Sequence, residues 1–242
     1  MRYKVMRNIV RATKYLLMMF KTPSLVCLSV IGLNILISVT FTYLFPGAGV
    51  TVGSTDLIAF ISIFILGLLS FKIHFKFLLA NAVSRKNIFG AYILSMAILS
   101  TAWAVTLTLV LSLISWMHIE IIVLYPLFYG DTSVLGTVVW FAGVFFLLIV
   151  IGWFINMVYY RSSKRMAYAI SSAPFILSGL LTIINQSTNG KLFASILKFT
   201  VAAMGFSGKN PNPFIGSLSL LLLTMIICAF NFLLIRRAQI KE

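Results

Sequence analysis

Acidic residues are almost absent from this chain, in which four Asp and Glu stand against 19 Lys and Arg for a formal net charge of +15. Charged residues of either sign make up only 10% of the sequence, whereas hydrophobic residues make up 61%. Soluble domains carry about 25% charged residues, so water cannot be the solvent for most of this surface. The sequence therefore excludes an ordinary soluble domain and predicts an all-α membrane protein forming a single domain over residues 1–242.

Residues that carry enzymatic or metal chemistry are equally scarce. The two histidines, His74 and His118, fall at opposite predicted faces of the membrane, and no His-Glu-x-x-His or paired-carboxylate pattern is present. We interpret Glu120, at a span boundary, as a solvated residue. The two cysteines, Cys27 and Cys228, lie inside predicted helices and suggest no disulfide framework. Neither an enzyme, a metal site nor a cofactor bound by this chain is expected.

Long apolar runs dominate what is present. Crossing a hydrocarbon core of about 30 Å takes roughly 20 helical residues, and six runs meet that length. The predicted spans are 23–45, 56–78, 88–116, 134–159, 166–185 and 214–235.

Basic residues are distributed unevenly over the segments between these runs. Sixteen of the 19 Lys and Arg fall before span one, from the end of span two to the start of span three, after span four, and after span six. The positive-inside rule assigns those segments to the cytoplasm and so places both termini there. We expect a multi-pass protein of the cell membrane, and topology explains the positive charge better than a nucleic-acid partner does.

The N-terminal segment, residues 1–21, has the pattern of a helix lying in the membrane interface. Its basic residues recur every three or four positions, with apolar residues on much of the other side, and are Lys4, Arg7, Arg11 and Lys14. Such a helix would place its cations among lipid headgroups and its apolar face in the acyl boundary, and would lead sideways to Pro23 and span one. A plain basic anchor is the alternative.

The longest outer segment, 186–213, contains a second amphipathic stretch from Lys191 to Met204. It predicts a short or re-entrant helix in the outer leaflet, ended by Gly205 and the prolines that follow. A structured extracellular loop is the alternative.

Residues 72–90, after span two, are too polar to continue that span comfortably and too apolar for a free loop. They predict a short helix lying against a neighbouring surface, followed by a helix that begins near Arg85 with Ser84 as its cap. The residues that carry the pattern are Phe77, Asn81, Ala82, Val83, Ser84, Arg85, Lys86 and Phe89.

This stretch resembles the coupling segment in permease subunits of type-2 ABC exporters from Gram-positive bacteria, in which an aromatic precedes Asn-Gly-hydrophobic-Ser-Arg-Lys and a second aromatic. Ala82 stands where the family has glycine. The layout of an interfacial helix, six spans and internal termini is similar to that family as well. The closest in character are permeases for phenol-soluble modulins and for resistance to peptide antibiotics.

The resemblance implies a permease that works in pairs, as a homodimer, and docks two copies of a separate ABC ATPase through Phe77, Asn81, Ser84, Arg85, Lys86 and Phe89. ATP and Mg would be bound by that partner, and the cargo would be an amphipathic or hydrophobic peptide. A non-transporting immunity or assembly protein, and a lipid or drug exporter of the same architecture, are the alternatives.

Uncharged polar residues and small residues within the spans supply two further hypotheses. Asn34, Asn156 and Asn231 are candidates for the translocation path, with interhelical hydrogen bonding as the alternative role. Ala169 and Ala173 form a small-x3-small pair in span five, and the resemblance makes this face a candidate homodimer contact, with packing inside one chain as the alternative.

Overall fold

The computed structural model describes residues 2–44, 55–116, 123–130, 133–188, 190–206 and 211–236, which fold into helices and short connections. In chain order the helices are α1 (Arg2–Leu44), α2 (Thr55–Leu69), α3 (Lys72–Ala80), α4 (Arg85–Trp116), α5 (Leu124–Tyr129), α6 (Val134–Arg161), α7 (Lys164–Ser187), α8 (Lys191–Ala203) and α9 (Pro213–Arg236). Within the described residues, five helices are long and apolar enough to cross a membrane, or six if α2 and α3 count as one bent span. The all-α membrane architecture is confirmed at this level.

The predicted crossing over 56–78 consists of two helices rather than one, and the short helix predicted within 72–90 is present as α3. Helix α2 ends at Leu69 after 15 residues, a length of about 22 Å that is short of a bilayer core. The chain bends by 41° before it continues as α3. The apolar run over 56–78 predicted the combined extent of α2 and α3, but not the residue at which α2 ends.

The interfacial segment and span one, predicted as 1–21 and 23–45, form one continuous helix, α1, which has 43 residues and contains Pro23. No helix end separates an interfacial segment from span one. Within the first part of α1, Ala12, Leu16 and Phe20 are buried against the protein, although Val10 is exposed. Of the apolar residues expected to face lipid, Phe20 is buried and Val10 is exposed, so the interfacial placement of this segment stays a prediction.

Helix α6 lies at the centre of the bundle and packs against α2, α4 and α9. Its contact with α2 is unusually close at two glycines. A Cβ built on Gly67 would lie 2.3 Å from the carbonyl oxygen of Ile149, and one on Gly152 would lie 2.5 Å from that of Phe64. Only residues without side chains allow the two backbones to approach so closely.

One end of the bundle, here called the turn end, contains the connection between α3 and α4. Tyr160 of α6 packs there on Phe71 and Phe75, and Arg85 binds the carbonyl of Arg236 at the end of α9. The described basic residues gathered at this end are Arg11, Lys14, Lys76, Arg85, Lys86, Arg161, Arg165 and Arg236. The separation of charge along the sequence thus becomes a separation in space.

The opposite end, here called the far end, is closed by α5, which the sequence did not predict. Asp56 at the start of α2 is buried, and its Oδ2 accepts a hydrogen bond of 2.8 Å from the amide of Leu124. Tyr129 donates its hydroxyl to the carbonyl of Met204 at 2.9 Å. Burial raises the pKa of Tyr129, which keeps this hydroxyl protonated as a donor.

Helices α7 and α8 stand apart from the core. No residue in the apolar stretch of α7 is buried, and Tyr159 of α6 meets Ser171 of α7 in a hydrogen bond of 2.6 Å. The short helix predicted from Lys191 is confirmed as α8. It ends as expected near Gly205, which has a left-handed backbone with φ of 78°. Gly208 and Lys209, in the same predicted segment, lie outside the described residues.

Candidate functional site

Three side chains satisfy the backbone at the break between α2 and α3. A helix end leaves carbonyls without intrahelical partners, and such groups are costly where water is excluded. Asn156 donates its side-chain amide to the carbonyl of Leu68. Tyr92 donates its hydroxyl to the carbonyl of Ser70 at 2.9 Å, and the Ser70 hydroxyl donates to the carbonyl of Gly67 at 2.7 Å. The break is therefore an ordered feature.

Tyr15 of α1 contacts two residues of α3. The ring of Tyr15 stacks on that of Phe77 with centroids 4.6 Å apart, and the Tyr15 hydroxyl lies 3.3 Å from Nδ1 of His74 in a hydrogen bond. Sequence reasoning identified Phe77 but missed Tyr15 and His74, because nothing in the pattern shows that α1 passes beside α3.

The end of α3 is a Schellman motif with alanine at the position that normally requires glycine. The amide of Val83 donates to the carbonyl of Leu78 at 3.1 Å, and the amide of Ala82 donates to that of Leu79 at 3.0 Å. Ala82 has a φ of 55°, and no other non-glycine residue in the described ranges has a positive φ. The family pattern that this stretch resembles has glycine at this position.

Helix α4 begins as predicted. The hydroxyl of Ser84 accepts a hydrogen bond of 3.4 Å from the amide of Asn87, and the helix starts at Arg85. At the end of α3, Asn81 donates its side-chain amide to the carbonyl of Phe77 at 2.8 Å. Together these contacts make residues 81–84 a tight turn between two helices.

The six residues predicted to contact an ATPase divide into two groups. Phe77 is 47% exposed, and Asn81, Ser84 and Lys86 are also exposed. Arg85 is exposed too, but its guanidinium is engaged by α9. Phe89 packs on Phe232 of α9 and Trp153 of α6, with ring centroids 5.0 and 5.9 Å apart. Only the first group has exposed side chains that are not engaged by another helix.

A cleft of about 330 Å³ lies beside this turn, between α1 and α3. Its lining includes Asn8, Arg11, Tyr15, Phe77, Leu78, Asn81, Ala82 and Val83. Arg11 and Lys14, two of the four cations predicted for an interfacial helix, are exposed next to it. The side chains of the other two, Lys4 and Arg7, lie outside the described part of the structure.

The three asparagines proposed for the translocation path have different surroundings. Asn156 takes the alternative role, since it binds the carbonyl of Leu68 on another helix. Asn34 is half-buried on α1. Asn231 is fully buried on α9, and neither its amide nitrogen nor its oxygen has a hydrogen-bond partner. The structure does not assemble them into one lining.

The alanines proposed for the dimer contact, Ala169 and Ala173, are both exposed on α7. They are therefore not used for packing inside the described part of one chain. That surface is open to lipid or to another protein.

Long apolar helices, a break satisfied by side chains and a charged turn at one end define a multi-pass α-helical membrane protein. The chain matches no protein-family model, no curated protein and no solved structure. Any narrower assignment depends on the geometry of the site itself.

Proposed function

We propose that this chain is the membrane-spanning permease subunit of an ATP-driven exporter of amphipathic or hydrophobic peptides in the cell membrane. The observation that carries the proposal is the turn between α3 and α4, where a short helix ends in a Schellman motif at Ala82. A non-glycine residue held in this conformation costs about 1–2 kcal/mol. Such strain is typical of positions at which geometry serves a function.

The exposed side of the turn fits a protein partner in the cytoplasm. Phe77 supplies a half-exposed aromatic ring that Tyr15 holds in place, and Lys86 and Arg11 supply positive charge. Partly exposed, rigid aromatic residues are the usual anchors of protein interfaces. The partner in this proposal is an ABC ATPase, one copy for each permease chain, which binds the ATP and Mg.

The free surface of α7 supports a second copy of the chain as the other partner. Its apolar stretch is unburied, and Ala169 and Ala173 would let another helix approach closely. Cysteine substitution of Ala169 in a chain lacking Cys27 and Cys228 should give a disulfide-linked dimer in membranes. A monomer under oxidising conditions would contradict the homodimer.

The same free surface favours the alternative of a non-transporting immunity or assembly protein that binds another integral protein. The two proposals differ in their need for ATP. Protection or partner binding that persists in cells depleted of the ATPase would support the alternative.

Copurification tests the ATPase contact. The chain is purified from its native membrane in mild detergent, and the retained ABC ATPase is quantified by mass spectrometry. Phe77→Ala should lower retention about tenfold or more, the effect of removing an interface anchor. Phe128→Ala is the matched control, since this ring is 44% exposed but lies at the far end. Equal retention by both variants, or no ATPase with the unchanged chain, would refute the proposal.

A further inference from the structure

Two residues in the first turns of α4 contact the last described residues of α9. Arg85 Nη1 donates to the carbonyl of Arg236 at 2.7 Å, and one helical turn further along α4 the ring of Phe89 packs edge-on against Phe232 at 5.0 Å. Residues 85 and 89 on one helix thus face residues 236 and 232 on the other, as expected for antiparallel neighbours. The contact joins two segments that are 151 positions apart in the chain.

The first contact joins a guanidinium to a backbone carbonyl. Arg236 is the last residue of α9 that the structure describes, so this carbonyl lies in the C-terminal part of the described helix. A guanidinium at this position donates a charge-assisted hydrogen bond and places positive charge on the side of the helix where the helix dipole favours cations. The second contact is anchored in the core, because Phe89 also packs on the buried Trp153.

The adjacent residue, Lys86, provides a contrast. It has the same charge and follows Arg85 directly, but its side chain is exposed and forms no hydrogen bond with the described residues. Neighbouring helix positions point about 100° apart, so only one of the two can face α9.

We propose that Arg85 is a positioning residue that joins the turn and the end of α9 into one mechanical unit. Its significance for transport rests on the proposed function: an ATPase that displaces the turn would displace α9, and α9 packs along α6. The sequence pattern placed Arg85 on the partner-facing surface, whereas its guanidinium faces the chain's own last helix.

Hydrogen exchange of the chain in lipid nanodiscs measures the link without any partner. Arg85→Gln should speed amide exchange in the last turn of α9, residues 233–236, about tenfold, the effect of losing one charged hydrogen bond of about 1.4 kcal/mol. Arg85→Lys should restore part of the protection, since an ammonium can also donate to a terminal carbonyl. Lys86→Gln should leave exchange unchanged. Equal exchange in the Arg85→Gln and Lys86→Gln chains would overturn the proposal.

ATP turnover of the copurified complex separates positioning from simple stability. Arg85→Gln should retain the ATPase as well as the unchanged chain does, but should lose the stimulation of ATP hydrolysis by the permease, with partial rescue by Arg85→Lys. Loss of ATPase retention would show instead that Arg85 contacts the partner directly. If no ATPase copurifies, the proposed function fails, and the exchange measurement still decides whether Arg85 anchors α9.

Discussion

Replacing Gly152 with alanine tests the close contact on which the site depends. A Cβ at this position would lie 2.5 Å from the Phe64 carbonyl oxygen and 2.9 Å from the Leu68 amide nitrogen, both of them backbone atoms. Since backbone cannot rotate out of the way as a side chain can, α2 and α6 must separate. Overpacking of this kind costs about 1–3 kcal/mol. Separation would also draw Asn156 away from the Leu68 carbonyl, and an unpaired buried carbonyl costs about 1–3 kcal/mol.

Alanine gains about 1 kcal/mol of helix propensity over glycine, which offsets part of this loss. The net destabilisation expected for Gly152→Ala is therefore about 3 kcal/mol. The assay is unfolding of the detergent-solubilised chain by increasing SDS, followed by far-ultraviolet circular dichroism. Gly179→Ala is the matched control, because no heavy atom lies within 4 Å of a Cβ on this α7 residue. It should be neutral or up to about 1 kcal/mol more stable.

The reasoning would be refuted if the two alanine variants changed stability alike. A double-mutant cycle then identifies the route of the effect. In a chain that already carries Asn156→Ala, Gly152→Ala should cost about 1–3 kcal/mol less, because the hydrogen bond that it weakens is already absent. A full additive cost would show that the glycine contact and the asparagine bond are independent.

Three further predictions concern single groups near the site and in the bundle. Ala82→Gly should stabilise the chain by about 0.5–1 kcal/mol, because relief of the positive φ outweighs the added entropy of the unfolded chain, whereas Ala80→Gly should cost about 1 kcal/mol. If both variants were destabilised in SDS titrations, the turn at Ala82 would not be strained. Tyr92→Phe should cost about 1–3 kcal/mol by leaving the Ser70 carbonyl unpaired, and a loss below about 0.5 kcal/mol would contradict that bond. Asn156→Leu should destabilise the chain by about 1–3 kcal/mol and Asn231→Leu should stabilise it by a similar amount, because only the first substitution removes a hydrogen bond. If both variants lost stability in thermal unfolding, this assignment would be wrong.

The long helices were predictable because each depends on one property, a run of apolar residues with a polar boundary. Helices α4, α6, α7 and α9 begin and end within a few residues of the predicted spans. The start of α4 near Arg85 was predictable because Ser84 is a local capping signal, and caps need no information from the rest of the chain.

Local sequence indicated that residues 72–90 do not continue span two, but it did not show that the break lies at residues 70–71. This stretch contains no proline, and its polar residue, Ser70, is common within membrane helices. The groups that stabilise the break, Asn156 and Tyr92, lie on α6 and α4 and become relevant only after folding. Pro23 shows the reverse case, since a strong local breaker lies inside the continuous helix α1.

The segment proposed as the coupling site forms a turn between two helices, but its role as a site stays a prediction and its orientation was not predicted. The pattern from Phe77 to Phe89 could not show that Arg85 and Phe89 face α9 while Phe77 and Lys86 face outward. The sequence shows which residues share one side of a helix, but not on which side a neighbouring helix packs. The sequence therefore identified the residues of the segment, and only the packing of α9 shows which of them face inward.

The contacts that fix the position of the turn come mainly from other helices, whereas a partner would bind its exposed side chains. The direction of α3 is set by groups on other helices: the glycine contact of α2 with α6, the bond from Asn156 and the stacking on Tyr15. The exposed Lys86 is not among these groups, whereas Phe77 stacks on Tyr15 and is still 47% exposed. Since backbone groups freed within a membrane must be satisfied by the protein itself, the break can persist only while α4 and α6 supply their donors. A partner that moves the turn therefore acts on the core of the bundle, because the turn is tied to α6 through the break and to α9 through Arg85.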